Sequence, residues 1–339
     1  MLRPELEKRP TCPQTAQDAW RVSSGSAAVL GLSKARLDAA PTTVYLMLGD
    51  RCQRNCAFCT QARHSGARQS ALSRVSWPHF QVEAITDATA VAFACGDMLR
   101  ACFQVTVGPL QIDTTIAAVS QFASCTPIPI CVSAAPSSLD DVTALLDAGA
   151  ERVTISLDAA TPDLYKRVKG GSWSRTHALL LQAAETYPGH ISTHLIVGLG
   201  ESEQEIISRI TDLHARGILI GLFAFTPIAG TRMASQPPPS IQSYRRIQAA
   251  HWLIINGLAA SQRLRYDLSG RLVSFGMPAE ELRLRLDAGQ AFRTAGCPGC
   301  NRPYYNERPG GTMYNYPRSL SRAEADAEIG ALVAHLDRF

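Results

Sequence analysis

Three cysteines stand close together early in the chain. Cys52, Cys56 and Cys59 have the spacing C-x3-C-x2-C and directly follow a strand-like run at residues 43–48. Three thiolates on one loop can converge on a single iron–sulfur cluster. Because a [4Fe–4S] cluster takes four ligands, one iron would stay open and could take the amino and carboxylate groups of a bound cofactor. The alternative is a small structural zinc site, which would need a fourth ligand such as His64.

A second pair, Cys297 and Cys300, lies in the C-terminal part of the chain with the spacing C-x2-C. Two cysteines cannot complete a cluster, so further ligands must come from elsewhere, and we predict Cys12 and Ser319 as these ligands. A zinc knuckle or a redox pair is the alternative. The four remaining cysteines stand singly in apolar sequence and are predicted to be small core residues. They are Cys95, Cys102, Cys125 and Cys131.

The composition indicates a large folded core. Of the 339 residues, 46% are hydrophobic and 18% are charged, and the net charge of +4 is dispersed along the chain. This is not typical of a disordered or a nucleic-acid-binding protein. The sequence has no apolar signal region and no apolar run near the roughly 20 residues that cross a bilayer, so we expect a cytoplasmic location. Thiols stay reduced there, which favours metal sites over disulfides.

From residue 43 onward, short β-rich runs alternate with longer helical patterns. Such alternation predicts parallel strands joined by right-handed crossovers. Six units in a row favour an α/β fold with a partial (βα)6 TIM-like barrel, although a doubly wound sheet would give the same alternation. The predicted strands are residues 43–48, 103–108, 128–133, 152–157, 191–197 and 218–223.

Two extensions flank the predicted barrel. We expect an N-terminal extension at residues 1–41, the barrel at residues 42–260, and a C-terminal extension at residues 261–339 that carries the second cysteine pair. The C-terminal extension is predicted to contain a hairpin that turns at Ser269 and Gly270. The first barrel helix is predicted to begin at Ser76, with Pro78 in its first turn.

With the aromatic Phe58 before its last cysteine, the first motif resembles that of the radical S-adenosylmethionine (SAM) superfamily, C-x3-C-x-Φ-C, where Φ is aromatic. The resemblance covers residues 43–256. It implies a radical SAM barrel in which Cys52, Cys56 and Cys59 hold a [4Fe–4S] cluster that cleaves SAM to methionine and a 5′-deoxyadenosyl radical. That radical removes hydrogen from unreactive carbon, while the protein positions the reactants and excludes solvent.

The ends of the later strands also resemble this family. Ser156 and Asp158 follow the fourth strand, where the family holds the ribose or carboxylate of the cofactor, although Asp158 could equally be a helix N-cap. The Gly-Gly-Glu that the family has after its second strand is replaced by Val-Gly-Pro at residues 107–109. The cofactor-binding positions that the resemblance implies are Phe58, Ser156, Asp158, Ile196, Gly198, Gly200 and Thr226.

The C-terminal motif resembles a narrower group. Residues 297–311, CPGCNRPYYNERPGG, and residues 314–318, YNYPR, are similar to those of biotin-synthase-related proteins that form one subunit of a two-protein lipoyl synthase. This implies a sulfurtransferase that moves sulfur from an auxiliary [4Fe–4S] cluster to an octanoyl chain on a carrier-protein lysine. It also implies three partners: an octanoylated lipoyl carrier protein, a second related radical SAM subunit, and a reductant such as ferredoxin or flavodoxin.

Two alternatives stay open. One is a radical SAM sulfur insertase or C–H oxidant that acts on another small molecule, as biotin synthase does. Alignment on residues 196–201 places Ser192 where that enzyme has a cluster cysteine, so the biotin synthase ligand set is incomplete in this chain. The other alternative is a non-enzymatic subunit that binds a cluster or zinc and supports a partner.

Overall fold

The computed structural model describes residues 19–308 and 310–336. Six strands run parallel in one sheet, in the order β10-β9-β8-β7-β6-β2. They are β2 (Thr43–Leu48), β6 (Arg100–Val105), β7 (Ile130–Ala134), β8 (Arg152–Ile155), β9 (Ile191–Val197) and β10 (Leu219–Ala224). In the described chain β10 pairs only with β9, so the barrel is open at that edge. The predicted partial (βα)6 barrel is confirmed.

Helices connect these strands and cover the outside of the sheet. Several begin with a serine or threonine whose side chain accepts a hydrogen bond from the first turn, and Ser138, Ser202 and Ser321 form capping boxes. The helices are α1 (Ser24–Val29), α2 (Val82–Ala94), α3 (Gln111–Cys125), α4 (Leu139–Asp147), α5 (Pro162–Val168), α6 (Trp173–Thr186), α7 (Glu203–Ala215), α8 (Ile241–Ile255), α9 (Ala279–Leu286) and α10 (Arg322–Ala334). Among the described residues, no helix is long and apolar enough to cross a membrane.

Alternate residues of each barrel strand face opposite sides of the sheet. Val44, Leu46 and Phe103 face outward and belong to the apolar core between sheet and helices. Tyr45 and Cys102, which pair in register, face the interior. The alternation therefore gives the barrel an apolar outside and a lining that carries thiols and other polar groups.

The segment before α2 differs from the prediction. No helix begins at Ser76, because this residue lies in β4 (Val75–Ser76), which pairs with β3 (Ala71–Leu72). The next strand, β5 (His79–Gln81), pairs antiparallel with β1 (Ala19–Val22), which in turn pairs with β2. Pairing with β1 holds residues 79–81 extended, and pairing with β3 holds residues 75–76 extended. These contacts override the local helix signal.

The C-terminal extension packs back onto the barrel. The predicted hairpin is confirmed as β11 (Arg265–Tyr266) and β12 (Leu272–Ser274), with Gly270 at φ +79° in the turn. In the segment beyond, Arg302 bridges the open edge of the barrel. Its backbone N–H donates to Tyr45 Oη on β2 at 3.1 Å, and its guanidinium donates to Leu222 O on β10 at 3.1 Å.

Candidate active site

A cavity of about 680 Å³ fills the interior of the open barrel. Its walls are the inward-facing residues of the six parallel strands, the loop that follows β2, and residues 296–297, 300 and 302–308 of the C-terminal extension. Thr226, at the end of β10, accepts a hydrogen bond from Asn306 Nδ2 at 3.1 Å and so joins the extension to the strand ends. The cavity is thus closed on one side by chain that lies outside the β–α repeats.

Cys52, Cys56 and Cys59 lie on the loop after β2, and all three line this cavity. The Cys59 N–H donates to Cys56 O at 3.3 Å, and the Cys52 N–H donates to Gln61 O at 3.0 Å. At the end of β6, the Val107 N–H donates to Cys52 Sγ at 3.3 Å. The structure therefore brings the three thiols together at the carboxyl end of the first parallel strand, where ligands of such folds gather.

The chemistry of these thiols fits an iron–sulfur cluster. Burial raises the pKa of Cys56 to about 11 and that of Cys59 to about 12. Such thiols keep their protons at neutral pH unless a cation compensates the thiolate charge, and cluster iron does this. Three sulfurs leave one iron position for a cofactor. His64, the candidate fourth ligand for zinc, is exposed and does not line the cavity.

Asp158 and Lys169 form a buried ion pair beside these cysteines. The Lys169 Nζ and Asp158 Oδ2 atoms are 2.6 Å apart, and Lys169 also donates to the carbonyl of Ser156. Asp158 has φ +64° and lines the cavity. The N-cap of α5 is Thr161, so the alternative that Asp158 caps this helix is wrong. A carboxylate, an ammonium group and a hydroxyl thus stand at the end of β8.

The end of β9 presents an apolar surface to the cavity. Phe58 and Ile196 line it and pack against one small apolar cluster. Gly198 and Gly200 do not line it. Their φ values of +97° and +123° form a turn in which a Cβ on Gly198 would stand 2.7 Å from Pro239. These glycines therefore shape the turn that follows β9.

A second group of cysteines lines the same cavity near the amino-terminal ends of the barrel strands. Cys297 and Cys300 line it together with Cys102 and Cys131, which pair in register on β6 and β7. The Cys297 and Cys131 Sγ atoms are 3.7 Å apart, and Cys300 Sγ is 3.2 Å from Tyr45 Oη. The hydrogen bond to Cys131, together with burial, raises the pKa of the Cys297 thiol. Residue spacing alone missed Cys102 and Cys131.

The remaining predicted ligands are placed differently. Ser319 is exposed and does not line the cavity. Cys12 lies outside the described residues. The expectation that the single cysteines are core residues is wrong for Cys95, which is exposed, for Cys102, which is half-buried and lines the cavity, and for Cys125, which is half-buried and disulfide-bonded.

The loop that carries Cys297 and Cys300 is anchored at the start of the barrel strands. Arg100, the first residue of β6, donates to Pro298 O at 2.9 Å. Just before β2, the Thr42 N–H donates to Asn301 Oδ1 at 3.0 Å. The second group of cysteines is therefore held at the opposite end of the strands from Cys52, Cys56 and Cys59.

Tyr305 lines the cavity together with both groups of cysteines. Burial is the largest cause that raises the pKa of its hydroxyl, and charge on Cys59 and on Cys102 raises it further. Its ring makes an edge-to-face contact with Phe223, whose centroid is 5.5 Å away. One side chain of the C-terminal extension is thus within electrostatic reach of both thiol groups.

A basic hollow of about 430 Å³ lies on the outside of the first cysteine loop. Arg54, Lys166, Arg167 and Arg232 line it, and Arg232 donates to Asn55 O at 2.7 Å. Lys166, Arg167 and Arg232 are exposed. The surface beside the first cysteine loop is therefore positively charged.

An open barrel of parallel strands with a cysteine triplet after the first strand defines an α/β protein whose three thiols fit an iron–sulfur cluster next to an internal cavity. Residues 46–213 match the Radical SAM superfamily, and the chain belongs to this superfamily of enzymes. That membership implies a [4Fe–4S] cluster and SAM, and Cys52, Cys56 and Cys59 are the residues that fit the cluster.

Solved structures share the fold. The FeFe-hydrogenase maturase HydG from Carboxydothermus hydrogenoformans is 18% identical with a TM-score of 0.50, and the comparison covers 64% of this chain and 52% of that one. Methylornithine synthase (PylB) is 14% identical with a TM-score of 0.52 and coverage of 77% and 74%. This chain thus spans about half the length of the HydG structure. No curated protein matches the sequence.

Proposed function

We propose that this radical SAM protein is a sulfurtransferase of the lipoyl-synthase type, which inserts sulfur into an octanoyl chain that is amide-linked to a carrier-protein lysine. The main support is that Cys297 and Cys300 face the same cavity as the first three cysteines. A sulfur source held by the second group would share an enclosed volume with the site where hydrogen is removed.

The insertion exchanges one C–H bond for one C–S bond. When bound, the first cluster and SAM supply the 5′-deoxyadenosyl radical. The hydrogen atom leaves on 5′-deoxyadenosine, and an external one-electron reductant supplies the electron that cleaves SAM. An auxiliary [4Fe–4S] cluster held with the help of Cys297 and Cys300 would supply the sulfide and would accept the electron released when that sulfide forms the C–S bond.

The residues of the cavity divide into two sets that suit these reactants. Ser156 and Asp158 offer a hydroxyl and a carboxylate to the polar parts of SAM, with Lys169 paired to that carboxylate, and Ile196 and Phe58 offer apolar contacts to its base. A further part of the wall is apolar, which suits an octanoyl chain. Its residues include Leu37, Leu72, Val75 and Trp77.

The basic hollow suits an acidic electron donor. Ferredoxins and flavodoxins carry negative surfaces, and complementary charge speeds the encounter of two proteins. Cys56 Sγ is 4.0 Å from the backbone oxygen of Lys169, a residue that lines this hollow. A donor bound there would be near the first cluster. We include such a donor among the partners, together with the carrier protein and a second related radical SAM subunit.

Deuterium transfer tests the substrate assignment with this chain alone. The anaerobically reconstituted protein is mixed with SAM, dithionite and a synthetic peptide that carries a perdeuterated octanoyl group on lysine. We expect deuterium in 5′-deoxyadenosine and peptide that has gained sulfur, both read by mass spectrometry. The variant Cys56→Ala should give neither product.

The outcomes separate the candidate functions. Cleavage of SAM without deuterium transfer would mean that another small molecule is the substrate. No 5′-deoxyadenosine from the fully reconstituted protein would favour the non-enzymatic alternative. Deuterium transfer without sulfur in the peptide would favour C–H oxidation over sulfur insertion.

A further inference from the structure

Four cysteines from three distant parts of the chain meet inside the barrel. Cys102 and Cys131 occupy paired positions on neighbouring parallel strands, so their side chains face the same side of the sheet. Cys131 Sγ is 3.7 Å from Cys297 Sγ. Cys300 joins them through the C-x2-C turn, in which its N–H donates to Cys297 O at 3.0 Å. All four line the cavity. The contacts link the four thiols into one group.

Positive charge surrounds this group. Arg100 and Arg152 are 3% and 9% exposed, and both lie close enough to Cys297 for their charge to act on its thiol. The Nε atom of each is buried and lacks a hydrogen-bond partner among residues 19–308 and 310–336. Arg302 adds a third guanidinium, which donates to Leu222 O and Ala295 O and whose charge acts on Tyr45. Of these arginines, Arg100 forms an ion pair with the carboxylate of Glu151.

Buried cations without full compensation are costly, and an anionic group beside them offsets that cost. Four thiolates around an iron–sulfur core carry net negative charge, whereas four neutral thiols do not. The guanidinium groups therefore suit a thiolate-ligated centre better than they suit four free thiols.

We propose that Cys102, Cys131, Cys297 and Cys300 bind a second iron–sulfur cluster. The assignment deepens the proposed function, on which it rests in part, since this cluster would be the sulfur source. It replaces the expectation that Cys12 and Ser319 complete the set. Four cysteines are the usual ligand number for a [4Fe–4S] cluster.

Two other uses of these thiols fit less well. A disulfide requires sulfur atoms about 2.05 Å apart, and the Cys131 and Cys297 Sγ atoms are 3.7 Å apart. Among the described residues, no three Cys, His, Asp or Glu side chains are placed to hold a single metal ion. The same holds for Cys52, Cys56 and Cys59, the residues that fit the first cluster. The second group also opens to the reaction cavity, whereas structural zinc sites are closed.

The test uses the full chain with the first site removed. A parent variant with Cys52→Ala, Cys56→Ala and Cys59→Ala is reconstituted anaerobically with iron and sulfide. We expect about four irons per chain, the number in one [4Fe–4S] cluster, with a matching Mössbauer spectrum. Adding Cys102→Ala, Cys131→Ala, Cys297→Ala or Cys300→Ala should lower the iron content at least fourfold. Adding Cys95→Ala, a cysteine that is exposed, or Ser319→Ala should leave it unchanged.

Circular dichroism of each variant before reconstitution checks that the loss of iron is not a loss of fold. The proposal is overturned if the parent takes up no iron or retains zinc in preference to iron. It is equally overturned if the Cys131→Ala variant keeps its cluster while Cys12→Ala or Ser319→Ala loses it. A cluster with this ligand set in a protein that adds no sulfur to octanoyl peptide would uphold the ligand assignment and refute the proposed function.

Discussion

The Sγ atoms of Cys131 and Cys297 lie 3.7 Å apart although 166 positions separate the two residues in the sequence. Cys131 is fixed by the register of β7 between β6 and β8. Cys297 is fixed by a loop that Arg100 holds through Pro298 O. The contact therefore joins the C-terminal extension to the barrel interior, and it makes the extension part of the cavity that the radical SAM domain encloses.

The ion pair of Asp158 and Lys169 has two expected roles, to stabilise the fold and to bind SAM, and substitutions can separate them. Asp158→Asn keeps a residue that tolerates φ +64° and leaves the Lys169 ammonium without its carboxylate. We expect the free energy of unfolding to fall by about 3 kcal/mol, typical of a broken buried pair, and the Kd for SAM to rise at least tenfold. Urea denaturation and calorimetry measure the two effects.

The double variant Asp158→Asn/Lys169→Met removes both charges. It should recover much of the stability without recovering SAM affinity. Asp287→Asn, which breaks the exposed pair with Arg322, is the control and should change neither quantity. Unaltered SAM affinity in Asp158→Asn would mean that the pair only stabilises the fold.

Gly230 holds the loop that follows the first cysteine motif. It has φ +87°, and a Cβ there would stand 2.5 Å from Ala67 N and 2.6 Å from Gly66 C. Both are backbone atoms, so a side chain at this position would force the backbone of residues 66–67 to move. Gly96 has φ +77° and open space around it. Gly96→Ala should therefore cost about 1 kcal/mol, the strain of a left-handed residue alone.

Gly230→Ala should lower the free energy of unfolding by clearly more than Gly96→Ala does, because it displaces residues 66–67. For the same reason it should lower the amount of iron bound at the first site. Chemical denaturation and iron analysis of the two variants, side by side, test this. Equal stability of the two variants would show that the loop adjusts without strain.

Two buried histidines make stability depend on pH. Burial lowers the pKa of His194 and of His251 to about 4, below the value of about 6.5 in an unfolded chain. Between these values the unfolded state binds more protons than the folded state, so the free energy of unfolding falls as pH falls from 6.5 toward 4 and is insensitive to these groups above 6.5. Each histidine contributes up to about 1.4 kcal/mol per pH unit.

His251 lies on α8 and does not line the cavity, so His251→Gln tests this effect away from the site. Denaturant midpoints at pH 7 and pH 5.5 should differ less in this variant than in the unaltered protein. The same pH response in both proteins would contradict a neutral, buried His251.

Charge reversal in the basic hollow tests where the reductant binds. Lys166→Glu/Arg167→Glu should raise the KM for flavodoxin at least tenfold at low salt, because it places negative charge opposite an acidic donor. The rate of 5′-deoxyadenosine formation with dithionite should stay the same. Arg265→Glu, an exposed residue that lines neither the cavity nor the hollow, is the matched control. Equal sensitivity with both reductants would point to damage at the cofactor site.

The sequence by itself determined the features that depend on local pattern. The alternation of β-rich runs and helical patterns predicted six parallel β–α units and favoured a barrel over a doubly wound sheet, and the spacing of Cys52, Cys56 and Cys59 with Phe58 predicted the cluster loop. The hairpin around Gly270 also followed from its turn residues. These features are encoded within a few consecutive residues, where side-chain alternation and turn chemistry act directly on the backbone.

Only the tertiary structure decided which distant residues meet. The pairing of β4 with β3 and of β5 with β1 removed the predicted helix start at Ser76, and Thr161 rather than Asp158 caps α5. The register of β6 and β7 and the path of the C-terminal extension brought Cys102 and Cys131 to Cys297 and Cys300. The sequence around a cysteine in an apolar strand does not show whether the side chain faces the core or the cavity. Strand direction and register decide this, and they are set by contacts between segments far apart in sequence.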